Sequence, residues 1–357
     1  MRQRSISFNW IVVAVLLAIA VIVPFVLKND PYYVHIFVLV FLFGYLSTAW
    51  GLVGQSGQLS FGHAVFVGLG GYTSSILFMD YGVTPWVGMF GGVIVATLFG
   101  LIIGYPTLRL RGPYFALATL AYGLILQTYV VNTQKLGPIK LRGAMGLLLP
   151  LKHGGGDAPS VFQFATKTPY YFIALIMMIS AVLLSYALNR TRIGAYWTAI
   201  RSDQDAAESL GINAGRYRLL AFLFSCALTA LGGTLWAQYF RYINPERGMA
   251  LSLSIEIVLV GVVGGWQTVT GPMIGAMVII PISELLRAQL GGGYAGLHTL
   301  IYGMILMGVI LWLPKGLNPL IMEGLKWLDI RLWSASVATA GRGTPEIRES
   351  GSKAQGR

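Results

Sequence analysis

Uncharged apolar runs recur along this chain so often that they decide its class. They fall near residues 10–27, 32–53, 63–79, 86–105, 113–131, 170–188, 218–240, 252–264, 271–290 and 298–313. The hydrocarbon core of a bilayer takes about 20 apolar residues of helix, and a helix satisfies its own backbone hydrogen bonds where lipid offers no partner. The pattern predicts an all-α polytopic membrane protein with about ten transmembrane or broken helices. Composition agrees, because only 11% of the 357 residues are charged, against roughly 25% in a soluble domain. The 45 glycines suit helices that approach backbone to backbone in lipid.

The formal net charge of +12 does not point to nucleic acid, because the Lys and Arg residues fall mostly in short segments between apolar runs and in the C-terminal stretch. That is where the positive-inside bias operates. Arg2 and Arg4 precede the run Trp10–Leu27, which has no small-residue cleavage site and is followed by further runs, so it reads as a retained first helix. The lone cysteine, Cys226, excludes a disulfide framework and a thiolate metal site.

Loop charge orients the chain. Arg109, Arg111, Arg190, Arg192, Arg201, Arg216 and Arg218 are all cytoplasmic if the N-terminal segment 1–9 is cytoplasmic. The expected plan is a transmembrane domain over 10–314, an extracytoplasmic loop at 132–169, a cytoplasmic coupling loop at 189–217, and a cytoplasmic tail at 315–357 that is disordered beyond about 335. The loop 132–169 carries Lys135, Lys140, Arg142, Lys152 and Lys167 against the rule, which long loops obey poorly.

Two glycine-rich interruptions mark corresponding places in two related halves. The first runs Gly54-Gln-Ser-Gly57-Gln-Leu-Ser-Phe-Gly62, and the second contains Gly264, Gly265 and Gly271. Both follow an apolar helix, and the neighbouring runs 63–79 and 252–264 look too short to span alone, so broken or re-entrant helices are expected. Gln55, Ser56, Gln58 and Ser60 offer neutral hydrogen-bonding groups, suited to a solute that must be held weakly and released; His63 opens the next helix. Tight loops and glycine packing contacts are the alternative reading.

Nothing in the sequence reads as an enzyme. It has no G-x-x-x-x-G-K-[ST], no H-E-x-x-H and no Cys/His cluster, so no metal site or cofactor is expected. If ATP drives this chain, another subunit hydrolyses it. The polar stretch Asn189–Arg218 is more telling: Asp203 or Ser202 can cap a short helix from Gln204 to Leu210, and Gly211 can end it in left-handed geometry. Within it Asp205-Ala206-Ala207-Glu208 followed by Gly211 has the spacing of the E-A-A-x-x-x-G coupling motif of ABC-importer permeases, with Asp in place of Glu.

With this block in place, the chain resembles the LivM-type permeases of the branched-chain amino acid ABC importer family from about residue 30 to 320. The resemblance rests on Gly54 to His63 with Gly70-Gly-Tyr72, Arg192-Ile-Gly-Ala to Ile212, Ser254-Ile-Glu256 with Gly264-Gly265 and Gly271-Pro272, and Tyr302 to Leu317. It implies a bacterial inner-membrane subunit that pairs with a second, LivH-like permease, two cytoplasmic ABC ATPases and an extracytoplasmic solute-binding protein. Branched-chain amino acids are the solute this implies; urea, short amides and aromatic acids are carried by similar permeases.

Glu256 is an acid inside a predicted membrane helix, where lipid contact is costly. It either meets an amino group in transit, pairs with Arg241 or Arg247, or caps the second break. Glu284 and Arg287 lie one turn apart and read as a local ion pair. A secondary transporter driven by H⁺ or Na⁺ would share the repeats and broken helices but should carry several buried acids, and Glu256 is nearly the only one in mid-helix.

Overall fold

The computed structural model describes residues 20–26, 30–110, 112–151, 157–290, and 300, 301, 303, 304, 307, 308, 311 and 316–319. The segment 1–9, most of the runs 10–27 and 298–313, and the tail beyond 319 lie outside the described residues. Eleven helices have defined bounds: α1 Pro31–Gln55, α2 His63–Tyr81, α3 Pro85–Thr107, α4 Pro113–Asn132, α5 Thr168–Asn189, α6 Arg192–Ser202, α7 Gln204–Ser209, α8 Ala214–Phe240, α9 Pro245–Gly248, α10 Leu251–Gly264 and α11 Gly271–Leu290. Strands are limited to two-residue pairings, β1 Lys135–Leu136 with β2 Ile139–Lys140 and β3 Leu147–Leu148 with β4 Tyr242–Ile243. Seven helical segments among the described residues are long and apolar enough to cross a membrane. The protein is all-α and polytopic, as the apolar runs predict.

Local chemistry sets the helix ends. Pro31, Pro85 and Pro113 open α1, α3 and α4, where a missing N–H costs nothing. Asp30 and Thr84 cap the first two of these, accepting from the backbone N–H groups of Tyr32 and Trp86. The run 63–79 forms α2, with 19 residues, about 28 Å of helix, and it is not among the seven segments apolar enough to cross. The expectation for 252–264 holds in part. α10 has 14 residues, about 21 Å, and the single turn α9 extends it after a kink at Met249–Ala250.

The helix α1 is the axis of the molecule. It is apolar on all sides, and 94% of its most apolar window is buried, as expected of a helix with no polar face that sits in a bundle's centre. Helices α5, α8, α10 and α11 pack around it. By contrast only 17% of the α4 window is buried, and Val87, Phe90, Ile94 and Leu98 of α3 are exposed, forming an apolar outer band.

Helices α2 and α8 meet backbone to backbone, and glycine makes it so. A Cβ on Gly70 would overlap the carbonyl of Ala230, and one on Gly233 would overlap the carbonyl of Val67. With little apolar gain from association in lipid, such backbone proximity is what holds helices together.

Contacts assign the connections to two opposite faces. On one, Gly57 meets Arg201, Gln55 bonds to Asn189, and Gly54 meets Trp266. On the other, the 133–167 segment is tied to the bundle: Trp86 Nε1 donates to the Pro159 carbonyl at 2.7 Å, Leu149 N to the Arg241 carbonyl at 2.9 Å, and Lys167 Nζ to the Pro31 carbonyl at 3.3 Å. Replacing Gly233 by Val is expected to force α2 and α8 apart and lower stability by about 1–3 kcal/mol or more. Thermal unfolding of the detergent-solubilised protein checks this; an unchanged midpoint contradicts the packing argument.

Candidate functional site at the helix breaks

The first break is a knot of buried polar groups. Beyond Gln55 the chain turns through Gly57, whose φ of +84° lies in the left-handed region that glycine enters without penalty. Its missing side chain also admits Arg201, whose Cα lies 3.1 Å from where a Cβ would stand. Gln55 donates through Nε2 to Ser185 Oγ at 3.1 Å and accepts through Oε1 from Asn189 Nδ2 at 2.8 Å. Ser56 Oγ donates to the Val53 carbonyl at 2.7 Å. The Trp50 indole N–H donates to the Ser60 carbonyl at 3.0 Å, and Phe61 N donates to Thr119 Oγ1 at 3.2 Å. Gly62 allows the chain to press against the Thr119 carbonyl.

His63 is fully buried and bridges two elements. Its Nδ1 pairs with Ser60 Oγ at 3.0 Å and its Nε2 with Ser225 Oγ of α8 at 2.6 Å. Next to it, Ala64 N donates to Ser254 Oγ of α10 at 2.9 Å. Gln58 is the exception. It is buried, yet among the described residues neither its amide nitrogen nor its amide oxygen has a partner.

The second break seats against the first. Trp266, between Gly265 and Gly271, lies on Gly54, with 2.6 Å left for a Cβ, and its ring meets Trp50 edge-on at 6.5 Å. Pro272 fills the space beside Gly51. Gly264 lies against the backbone of Gly271 and Gly275, so the antiparallel pair α10–α11 starts with no side chain between its strands of backbone. Asn318 staples this turn: its Nδ2 donates to Thr268 Oγ1 at 2.6 Å, while Thr268 Oγ1 donates to the Gly265 carbonyl at 2.8 Å.

The elbow α6–α7 lies on the same face. Trp197 is fully buried between Leu52 and Ala221 and donates to the Tyr217 carbonyl at 2.8 Å, fixing α6 to α1 and α8. Asp203 caps α7, accepting from Ala206 N at 3.0 Å. Gly211 follows at φ +84°. Ala207 packs inward on Ile200 and Ala214, whereas Asp205, Ala206 and Glu208 face out and Leu210 is 82% exposed. A surface groove of ≈ 340 Å³ beside them is lined by Glu208, Gly211, Ile212, Asn213 and Ala214.

The profile of the family described as "Branched-chain amino acid transport system / permease component" matches residues 32–313, which takes in both breaks and the elbow. The chain belongs to this family. It is 29% identical over 329 residues to the high-affinity branched-chain amino acid transport system permease protein LivM of Salmonella typhimurium, covering 87% of this chain and 75% of the relative. It is 26% identical over 280 residues to LivH of the same organism, covering 74% and 86%. A nucleoside ABC transporter permease, NupC of Lactococcus lactis, is 29% identical over 163 residues, covering 43% and 49%. No solved structure matches.

In this permease the structure brings Gln55, Ser56, Gln58, Ser60 and His63 together with Gly54, Gly57 and Gly62, and sets Gly264, Gly265 and Gly271 beside them. Glu256 stands apart, about 12 Å back along α10 from Gly264. Among the described residues it forms no ion pair with Arg241 or Arg247, and its electrostatic neighbours are Arg287 and Glu284. Sequence reasoning missed Ser225, Ser185, Asn189, Thr119 and Arg201 as partners of the first break, and Asn318 as the staple of the second. Only Trp266, a large aromatic between glycines, carried a local signal. Substituting His63 by Ala leaves two buried hydroxyls short of a partner and is expected to cost about 1–3 kcal/mol. Ser225→Ala should then add much less than it costs alone. A double-mutant cycle on thermal unfolding tests this, and simple additivity refutes the bridge.

Proposed function

We propose that this chain is one permease subunit of a binding-protein-dependent importer in the bacterial inner membrane, carrying branched-chain amino acids and driven by separate ATPase subunits. The observation that carries this reading is the contact between the α6–α7 elbow and the helix breaks: Arg201 lies on Gly57, and Trp197 is locked into α1 and α8. A partner that moves the elbow moves the breaks. The elbow face is cytoplasmic in this reading, supported by Arg109, Arg190, Arg192, Arg201 and Arg216 in its short connections.

The exposed Leu210 and the groove beside Gly211 are the seat for the ATPase, with Asp205 and Glu208 facing a basic surface on that partner. The 133–167 segment faces the binding protein on the other side. A LivH-like chain completes the pathway. Gln58, Gln55 and Ser60 line the inner end of the route, where the unpaired Gln58 amide hydrogen-bonds a passing solute. The name of the LivM relative favours branched-chain amino acids over urea, short amides or nucleosides. ATP binding shifts this subunit only by as much as the ATPase differs in its affinity for the two states.

Two experiments test the reading. A cysteine placed at Leu210 should react with an impermeant maleimide only from the cytoplasmic side and one at Met145 only from the outside; native Cys226 is buried and should stay silent. Reversed labelling removes the elbow from the reach of any cytosolic motor. Gly211→Val should permit membrane insertion but abolish binding-protein-stimulated ATP hydrolysis in reconstituted vesicles, since a β-branched residue resists positive φ. Full stimulation in that variant rejects the coupling role.

A further inference from the structure

Three charged groups of the membrane helices, Glu256, Glu284 and Arg287, stand on the side of the bundle away from the breaks. Glu284 and Arg287 of α11 pair at 2.7 Å through Arg287 Nη1, with the Glu284 side chain 14% exposed and that of Arg287 55%. The register of the neighbouring helices shows what shares their level. On α1, Gly51 lies by Pro272 and Gly44 by Ala276, so continuing along this antiparallel pair sets His35 level with Glu284 and Arg287. His35 Nδ1 pairs with Tyr239 OH at 2.5 Å, and the two rings stack at 5.6 Å. On α10, Gly264 lies against Gly271 and the Val260 carbonyl against Gly275. That register sets Glu256 inward of Glu284 by about five residues, or roughly 7 Å.

Among the described residues the three groups are not all paired. Glu284 and Arg287 cancel, whereas Glu256 is half-buried with no hydrogen bond or ion pair among the described residues. A carboxylate with no hydrogen bond or ion pair in a membrane helix is costly and by default functional, and Arg287 is the attractive charge near it. Arg287 uses one nitrogen on Glu284 and keeps the rest of its five-donor fork. By the same register the acid lies inward and the guanidinium outward, about eight residues or roughly 12 Å apart along the helix pair. The rings of Tyr239 and His35 lie at the same level.

We propose that Glu256 and Arg287 form a receptor for a zwitterionic solute at the outer end of the pathway, Glu256 taking the ammonium group and Arg287 the carboxylate, with Glu284 holding Arg287 in place. The inference rests on the transport reading above and extends it, by assigning the main-chain charges of the solute to residues remote from the breaks. Binding there gives Glu256 an ammonium partner and the solute carboxylate a guanidinium, with no change in the net charge of the site.

The test is binding of tritiated leucine at millimolar concentration to the assembled permease–ATPase complex without the soluble binding protein, competed by leucine, by isoamylamine, which has only the ammonium, and by 4-methylpentanoate, which has only the carboxylate. Glu256→Gln should weaken competition by isoamylamine about tenfold and leave that by 4-methylpentanoate in place, while Arg287→Gln should show the reverse. Equal loss of all three ligands in both variants signals general damage and overturns the assignment, as does unchanged competition or the absence of leucine binding to the unaltered complex. These outcomes leave the transport reading intact if the complete system still accumulates leucine in vesicles. Failure of that uptake, with urea carried instead, overturns both.

Discussion

Lipid cannot hydrogen-bond a broken helix, and that constraint shapes the centre of this protein. A chain that interrupts its helices at 55–63 and again at 264–271 must find partners for the freed groups within itself. It does so by placing the two interruptions against each other and against α5, α6, α8 and α10. The Trp50 indole closes on Ser60, Gln55 on Ser185 and Asn189, and Ala64 N on Ser254. Each bond joins separate elements, so the polar groups that make the interruption tolerable are also those that lock four helices into one register. Trp266 on Gly54 adds the apolar seal.

Glycine has two distinct uses in this arrangement. At Gly70 and Gly233 it removes side chains so that α2 and α8 touch through backbone, which fastens the bundle. At Gly57 and Gly211 it supplies positive φ, which lets the chain reverse in few residues. The first kind resists motion and the second permits it. Gly57 and Gly211 lie on the face that carries the elbow, and Gly57 touches Arg201 directly, so on the proposed coupling the places where the backbone bends freely are those where a push from the ATPase would arrive.

Much of this plan was legible in the sequence because apolar runs in lipid have one regular outcome. The ends of α1, α4, α8 and α11 fall within a few residues of the runs that announce them, and Asp203 and Gly211 delimit α7 as their chemistry requires. The length of α2 was not legible, because Gly68, Gly70, Gly71, Tyr72, Thr73, Ser74 and Ser75 dilute its apolar character while serving contacts inside the bundle. Nor was the orientation of the alanine pair, since spacing alone does not say that Ala207 turns inward and Ala206 outward. The partners of the breaks are hidden for a general reason. Ser225, Asn189 and Asn318 are ordinary residues in their own segments, and only the folded chain brings them within 3.1 Å of groups 50 to 162 positions away.

The separation between Glu256 and the breaks then has a mechanical meaning. On the proposed coupling the elbow acts at the Gln55 end of α1, and the charged groups around His35 lie toward the other, about 30 Å away along the helix. A helix buried on all sides does not bend at one end alone, because close-packed neighbours leave no room for partial adjustment. A shift at Gly57 must therefore tilt or slide α1 as a unit, and its outer end moves against α11, on which Glu284 and Arg287 stand. If the proposed coupling operates, access at the outer mouth and access at the breaks are linked through one rigid element, which is the condition for opening one end while closing the other.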